Sequence, residues 1–208
     1  MTAASESRVS VKVDWEGLDL YRFFAFVFSP PSPERFSTLA QPALRDSLAG
    51  LWQQLCCAGD SPDFAWFGSY EEYEATYIAL FDVGIPEPPV PLFESAHDKT
   101  RPPQEIALEN TWFYDELGLK WDSRCAVPDY LITQLEFLAA VHYTFENAQD
   151  SSTRVSLAKL ETDFLGRHLL NWAPAAAAKL NKSPSAFGAL MILLAAFLQN
   201  RHAEVSNA

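Results

Sequence analysis

A glutamate and a histidine three residues apart are the residues of this sequence best suited to metal chemistry. Glu94 and His97 form a Glu-x-x-His unit, which helical di-iron proteins use in pairs. This sequence has one copy, and none of its four histidines belongs to a His-Glu-x-x-His motif. It also lacks the Gly-x-Ser-x-Gly motif of hydrolases and the glycine-rich phosphate loops. We therefore expect no catalytic activity, no metal and no cofactor, with a metal-binding helical enzyme as an alternative.

Cysteine usage and hydropathy predict a cytoplasmic protein. The three cysteines, Cys56, Cys57 and Cys125, are odd in number and two are adjacent, which does not fit a disulfide framework. The N-terminus shows no basic region followed by an apolar run, so we expect no signal peptide. The longest apolar run, residues 187–198, is shorter than the roughly 20 residues that a membrane span needs. We expect no stable membrane insertion.

Negative charge is concentrated in the middle of the chain. The net charge is −12, and residues 60–146 hold 17 Asp/Glu against 4 Lys/Arg. A nucleic-acid partner is not expected, because a phosphate backbone needs a basic face. An acidic field would attract a cationic partner and speed its encounter. The alternative is a solvated acidic surface that serves only solubility.

Apolar residues recur at helical spacing along most of the chain, and we find no strand alternation. The pattern predicts an all-α protein: a single helical-bundle domain over residues 1–208, with about eight to ten helices. Residues 1–14 are expected to be loose. Helices are expected from near Glu16 to Phe28, over 33–57 with a break near Pro42, over 69–83, 102–117 and 128–145, and at about 151–170, 173–181 and 184–202. Ser69 and Ser183 are the expected N-caps of two of them.

A proline-rich segment interrupts the helical pattern near the middle. Residues 86–91 contain four prolines, which helix interiors exclude because proline lacks an N–H and clashes with the preceding turn. We interpret residues 84–101 as a stiff, functional connector between two packed lobes. The alternative is a surface loop whose Leu92 and Phe93 simply fill the core.

The run from Tyr77 to Ala139 resembles the TorD/DmsD/NarJ family of redox-enzyme maturation chaperones, most closely its NarJ branch. The resemblance covers about a third of the chain and rests on an ordered set of segments. They are Tyr77-Ile78-Ala79-Leu80-Phe81, the proline stretch, Leu92-Phe93-Glu94-Ser95-Ala96-His97-Asp98-Lys99-Thr100-Arg101, Gly118-Leu119, Val127-Pro128-Asp129-Tyr130-Leu131 and Leu135-Glu136-Phe137-Leu138-Ala139. The sequence departs from the family pattern at Tyr130, where TorD- and DmsD-like members tend to have histidine, and at Asp98, where NarJ-like members commonly have glycine.

The resemblance implies a system-specific chaperone that binds the apo catalytic subunit of a molybdopterin oxidoreductase, or its twin-arginine leader, before cofactor insertion and export. Such a leader presents guanidinium groups beside an apolar stretch, which suits carboxylates beside an aromatic groove. The expected peptide-binding residues are Tyr77, Phe81, Glu87, Leu92, Phe93, Glu94, His97, Asp98, Arg101, Asp129, Tyr130 and Glu136. The protein is expected to be a monomer or a dimer.

Structural roles remain open for several of these residues. Tyr77 and Phe81 fit a core, and Asp129 fits a helix N-terminus. Glu136 and His97 could brace the connector instead of contacting a peptide. A helical adaptor for an unrelated basic peptide is the alternative function.

Overall fold

The described part of the chain is helical, which confirms the predicted all-α class. The computed structural model describes residues 19–55, 62, 64, 68–120, 127–181 and 185–206. Within these ranges strand-type pairing is limited to an isolated antiparallel bridge between Phe93 and Tyr130. The predictions for residues 1–14, Cys56, Cys57, Cys125 and Ser183 lie outside the described residues.

Ten α-helical segments follow one another along the described residues. They are α1 (Leu20–Phe28), α2 (Pro33–Leu39), α3 (Pro42–Gln54), α4 (Tyr70–Tyr77), α5 (Glu94–His97), α6 (Pro103–Glu116), α7 (Leu131–Asn147), α8 (Ser151–Phe164), α9 (Leu170–Leu180) and α10 (Ala186–Ser206). A π turn, Ile78–Asp82, continues α4 up to the connector, and a second π turn, Leu165–Leu169, joins α8 to α9. The Ile85–Pro86 peptide bond is cis.

Local side-chain chemistry sets several helix ends. The Ser69 hydroxyl accepts a hydrogen bond from the backbone N–H of Glu72, which confirms Ser69 as the N-cap of α4. Pro42 occupies the first turn of α3 and so separates it from α2, as predicted. Ser185 accepts from the N–H of Gly188 and caps α10. The connector, predicted to be a stiff segment of polyproline type, contains the single helical turn α5.

The predicted interruption between residues 170 and 173 is wrong. Helical backbone runs from Ser151 to Leu180, because the π turn changes the winding without ending the helix. Pro174 lies inside α9. Because proline has no N–H, Pro174 cannot donate the usual helical hydrogen bond to the carbonyl of Leu170. The backbone departs from α geometry in the π turn Leu165–Leu169, directly before α9.

One cluster of buried apolar side chains extends from α1 to α10. Helix α1 packs on α7, α7 on α8, and α10 on both α8 and α9. Phe187, at the start of α10, contacts the rings of Tyr77 and Phe81, so the end of α4 is packed against the C-terminal helix. The assignment of residues 1–208 to a single domain stays a prediction.

Among the described residues, no helix combines the length and the hydrophobicity needed to span a membrane.

Candidate peptide-binding site

Backbone hydrogen bonds hold the second half of the connector against α7. The N–H of Leu131 donates to the carbonyl of Leu92 (2.8 Å), and the N–H of Glu94 donates to the carbonyl of Asp129 (2.9 Å). The Phe93 and Tyr130 rings stack beside these bonds, with centroids 4.9 Å apart. Two of the segments that carry the family resemblance are therefore paired with each other in space.

Asp129 is buried and serves the backbone of α5. Its Oδ2 accepts a hydrogen bond from the N–H of Ser95 at 3.0 Å, in the first turn of α5. The first N–H groups of a helix have no partner within the helix, so a carboxylate placed there stabilises the turn. With its side chain almost fully buried, Asp129 is not open to a peptide in this conformation.

Glu94 is the centre of a buried polar network. Its side chain is completely buried and accepts hydrogen bonds from Arg101 Nη2 (2.9 Å) and Gln134 Nε2 (2.7 Å). Asn110 Nδ2 lies 3.3 Å from Oε2, and His168 Nδ1 lies 2.9 Å from the same oxygen. A buried carboxylate is tolerated only when its lone pairs are satisfied, and donors from α6, α7 and the second π turn meet that requirement. Glu94 therefore fixes the connector to three other elements.

Arg101 joins three carboxylates at the edge of this network. Its guanidinium contacts Glu94, Asp98 (2.7 Å) and Glu109 (2.5 Å), while Arg167 binds the other oxygen of Glu109 at 2.9 Å. Hydrogen bonds from the Thr100 hydroxyl, followed by Arg101, lower the pKa of Asp98 to about 2. Asp98, Arg101, Glu109 and Arg167 line an open groove of about 790 Å³, together with His97 and Asn171. The Asp98 carboxylate is thus ionised and already paired.

His97 points away from Glu94. Its ring stacks on Trp172, with centroids 4.8 Å apart, and its Nε2 donates to the carbonyl of Pro91 at 2.7 Å. Burial lowers its pKa, which favours the neutral imidazole. The two residues of the Glu-x-x-His unit therefore brace the connector from different sides. In the ranges that the structure covers, no three His, Cys, Asp or Glu residues are grouped so as to hold a metal ion.

Three of the five predicted aromatic and aliphatic residues belong to the core. Tyr77, Phe81 and Leu92 are buried, and the Tyr77 hydroxyl donates to the carbonyl of Phe28 at 2.9 Å. Burial raises the pKa of Tyr77 far above its usual value, so the hydroxyl stays protonated. Tyr130 is half-buried, and its hydroxyl lies 3.3 Å from that of Tyr77.

The exposed members of the predicted set are Glu87, in the first half of the connector, and Glu136, on the outer face of α7. Near Glu87 the chain also exposes three large aliphatic side chains that the prediction did not include. Ile85 is fully exposed, and Val83 and Ile78 are exposed to a lesser degree. The twelve predicted residues thus comprise core side chains, a polar bracing group around Glu94 and a smaller exposed group. Whether either group binds a peptide stays a prediction.

Five polar partners in the network were missed by the sequence analysis: Asn110, Gln134, His168, Glu109 and Arg167. A signal was present for two of the three that are buried. Gln134 lies among the apolar core positions of α7, and Asn110 lies four residues from both Ile106 and Tyr114. A polar residue at a core position of a helix needs a buried partner, which could have pointed to Glu94.

Residues 41–178 match the sequence profile of the family described as nitrate reductase delta subunit. The chain belongs to this family. Membership confirms the resemblance seen in the sequence, and with it the expectation of an assembly chaperone in place of a catalyst. The matched range contains the whole connector and every residue of the Glu94 network.

Three relatives of this chain have names that refer to reductase assembly. The perchlorate reductase assembly chaperone protein of Dechloromonas aromatica (strain RCB) is 31% identical over 142 residues, which cover 65% of this chain and 62% of that protein. The selenate reductase assembly chaperone protein of Thauera selenatis is 32% identical, with 67% and 72% covered. The chlorate reductase assembly chaperone protein of Ideonella dechloratans is 31% identical, with 74% and 71% covered.

A solved structure shows the same fold. The crystal structure of a redox enzyme maturation protein from Archaeoglobus fulgidus aligns with a TM-score of 0.50 at 14% identity, and the alignment covers 96% of this chain and 99% of that one. At this identity the similarity speaks for the helical architecture alone.

Proposed function

We propose that this protein binds the apo catalytic subunit of a molybdopterin oxidoreductase in the cytoplasm and holds it until cofactor insertion and export. The twin-arginine leader, or another N-terminal segment of that subunit, docks on the exposed first half of the connector. The observation that carries the proposal is the fully exposed Ile85, which lies between Val83 and Glu87 in a connector whose second half is fixed to the core. Three relatives named as assembly chaperones of reductases support the choice of partner.

The chemistry of the exposed connector matches that of a leader peptide. Ile85 and Val83 offer apolar surface to the greasy part of the leader, and Asp82 and Glu87 offer carboxylates to its arginines. Exposed apolar side chains beside charged ones are typical of interaction sites. Because the connector is already held by the fold, less conformational entropy is lost when a partner binds.

In this proposal the buried residues position the connector. Glu94, Asp129 and His97 each hydrogen-bond to groups of the connector or of α5, and Glu94 and Asp129 are buried. They act on binding through the shape of the connector. This separates the predicted site into contact residues, such as Glu87, and positioning residues, such as Glu94.

The exposed groups are sufficient for a micromolar complex. Burial of an isoleucine side chain contributes roughly 1.5–3 kcal/mol, and each charge-assisted hydrogen bond contributes about 1.5–3 kcal/mol. Two apolar contacts and two such bonds sum to about 6–12 kcal/mol, and an association cost of at least about 4 kcal/mol leaves up to about 8 kcal/mol, which corresponds to about 1 μM at the favourable end of the range.

Calorimetric titration with a synthetic leader peptide tests the proposal. The peptide carries two adjacent arginines followed by an apolar stretch, which is the pattern of a twin-arginine leader. We expect micromolar binding by the wild type and about tenfold weaker binding by Ile85→Ser and by Glu87→Lys. A peptide with both arginines replaced by lysines should also bind more weakly, because lysine cannot make the bidentate contact.

Matched controls are available on other helices. Val155→Ser on α8 removes an aliphatic side chain that is as exposed as Val83, and Glu146→Lys on α7 reverses an exposed carboxylate. Both should bind like the wild type. If neither the leader nor the apo subunit binds the wild type, or if Ile85→Ser, Glu87→Lys and the controls are indistinguishable, the proposal is wrong.

A further inference from the structure

The outer face of α6 exposes two large apolar side chains. Leu108 and Trp112 are 50% and 60% exposed and lie one helical turn apart, so they form one continuous patch. Tryptophan is usually well buried in a folded protein. The opposite face of the helix, with Ile106, Asn110 and Tyr114, is packed into the core and explains the position of α6. Packing of α6 does not require Leu108 or Trp112.

Carboxylates border this patch on both sides. Glu105 and Glu116 lie one turn before Leu108 and one turn after Trp112, and Asp115 flanks the patch at the other edge. All three are exposed. We name the surface formed by Glu105, Leu108, Trp112, Asp115 and Glu116 the α6 face. It presents an apolar centre with an acidic rim.

The negative charge of the α6 face indicates which kind of partner can bind there. A second copy of this chain would place the same carboxylates opposite one another, between molecules that each carry a net charge of −12. An anionic membrane surface would be repelled for the same reason. A helix with apolar residues along one side and lysines or arginines beside them satisfies both the centre and the rim.

We propose that the α6 face docks a basic amphipathic helix of a partner protein. The proposal goes beyond the leader surface of the connector and does not depend on it, since the two surfaces use different residues. Glu109, on the inner edge of α6, is already bound by Arg101 and Arg167 and is therefore not part of the face. The contact consists of Trp112 and Leu108 against the apolar side of the helix, and the three carboxylates against its cations.

Two synthetic peptides of identical composition test this docking mode. One 18-residue peptide of leucine and lysine has its leucines at helical spacing, and the other has the same residues in an order without an apolar face. Because their charge is equal, non-specific attraction to an acidic protein is the same for both. We expect calorimetry to show at least tenfold tighter binding of the amphipathic peptide to the wild type.

Variants locate the binding to the α6 face. Trp112→Ser should weaken binding of the amphipathic peptide about tenfold, and the pair Glu105→Gln and Glu116→Gln should weaken it severalfold and reduce its salt dependence. Tyr143→Ser on α7 is the matched control, because Tyr143 is an aromatic residue with 61% exposure. Equal affinity for the two peptides, or equal losses in Trp112→Ser and Tyr143→Ser, would overturn the proposal. All four positions are exposed, and unchanged urea midpoints verify that the variants are folded.

Discussion

Replacement of Arg101 by methionine removes one guanidinium from three carboxylates and keeps the apolar stem of the side chain. In the wild type this guanidinium binds Glu94, Asp98 and Glu109. Arg101 itself is 29% exposed, and the side chain of Glu94 is completely buried. The substitution therefore leaves a buried carboxylate with fewer donors and two partly solvated carboxylates without their main partner.

The magnitude follows from the burial of each carboxylate. The bond to the buried Glu94 contributes about 1.5–3 kcal/mol, the range for hydrogen bonds to charged groups. The contacts to Asp98 and Glu109 are partly screened by water and contribute about 0–1 kcal/mol each. Gln134 and His168 still contact Glu94, which keeps the loss of stability below that of an unpaired buried charge. We expect the free energy of unfolding to fall by about 2–4 kcal/mol.

Urea denaturation followed by circular dichroism measures this fall in stability. With a slope of about 3 kcal/mol per molar urea, the midpoint should fall by roughly 1 M. Arg167→Met is the matched control: it breaks a bond to the same Glu109, but Arg167 is 62% exposed. Its midpoint should move by no more than about 0.3 M. If the two variants shift the midpoint equally, the buried network does not contribute as argued.

Three further predictions concern pH and backbone space. A hydrogen bond from the Thr100 hydroxyl, and to a lesser extent one from Arg101, lowers the pKa of Asp98 to about 2, so the ionised carboxylate favours the folded state. The stability advantage of wild type over Asp98→Asn should therefore be complete above about pH 4 and vanish as the pH falls to 2. Burial lowers the pKa of His97, so its neutral form favours folding. The urea midpoint of the wild type should therefore fall as the pH drops below about 6.5. The variant His97→Phe keeps the stacking on Trp172 and should show a weaker pH dependence. A Cβ on Gly84 would lie 2.1 Å from a connector carbonyl oxygen, so Gly84→Ala should lower the melting temperature, whereas Gly50→Ala, with nothing within 4 Å, should gain about 1 kcal/mol in stability. A pH-independent difference for either ionisable residue, or equal effects of the two alanines, would contradict these assignments.

The helices were predictable because their signals are local. The cap at Ser69, the proline at the start of α3 and the apolar spacing of α7 each act within a few residues. The continuous run through Leu165–Leu169 was not predictable, because a π turn has no simple sequence pattern. Sequence gives the type of a residue and leaves open which side of the fold it faces.

The candidate site shows the same limit more clearly. Glu94 and His97 were recognised as unusual, yet their orientation depends on Gln134 and Trp172, which lie far away in the chain. A glutamate that accepts a peptide and a glutamate that braces a loop look alike in sequence. Burial decides between them, and burial is a property of the packed molecule. The exposed Ile85 escaped notice because proline-rich segments carry no periodicity from which exposure can be inferred.

The four donors around Glu94 come from positions 7, 16, 40 and 74 residues further along the chain, at Arg101, Asn110, Gln134 and His168. During translation the connector therefore emerges well before the residues that hold it, and its shape is completed only once His168 has left the ribosome and the C-terminal helices have packed. A nascent or C-terminally truncated chain would carry the connector without its bracing. If the connector is the client surface, as proposed above, the protein gains that surface in its final shape only after His168 and the helices that follow it have been made.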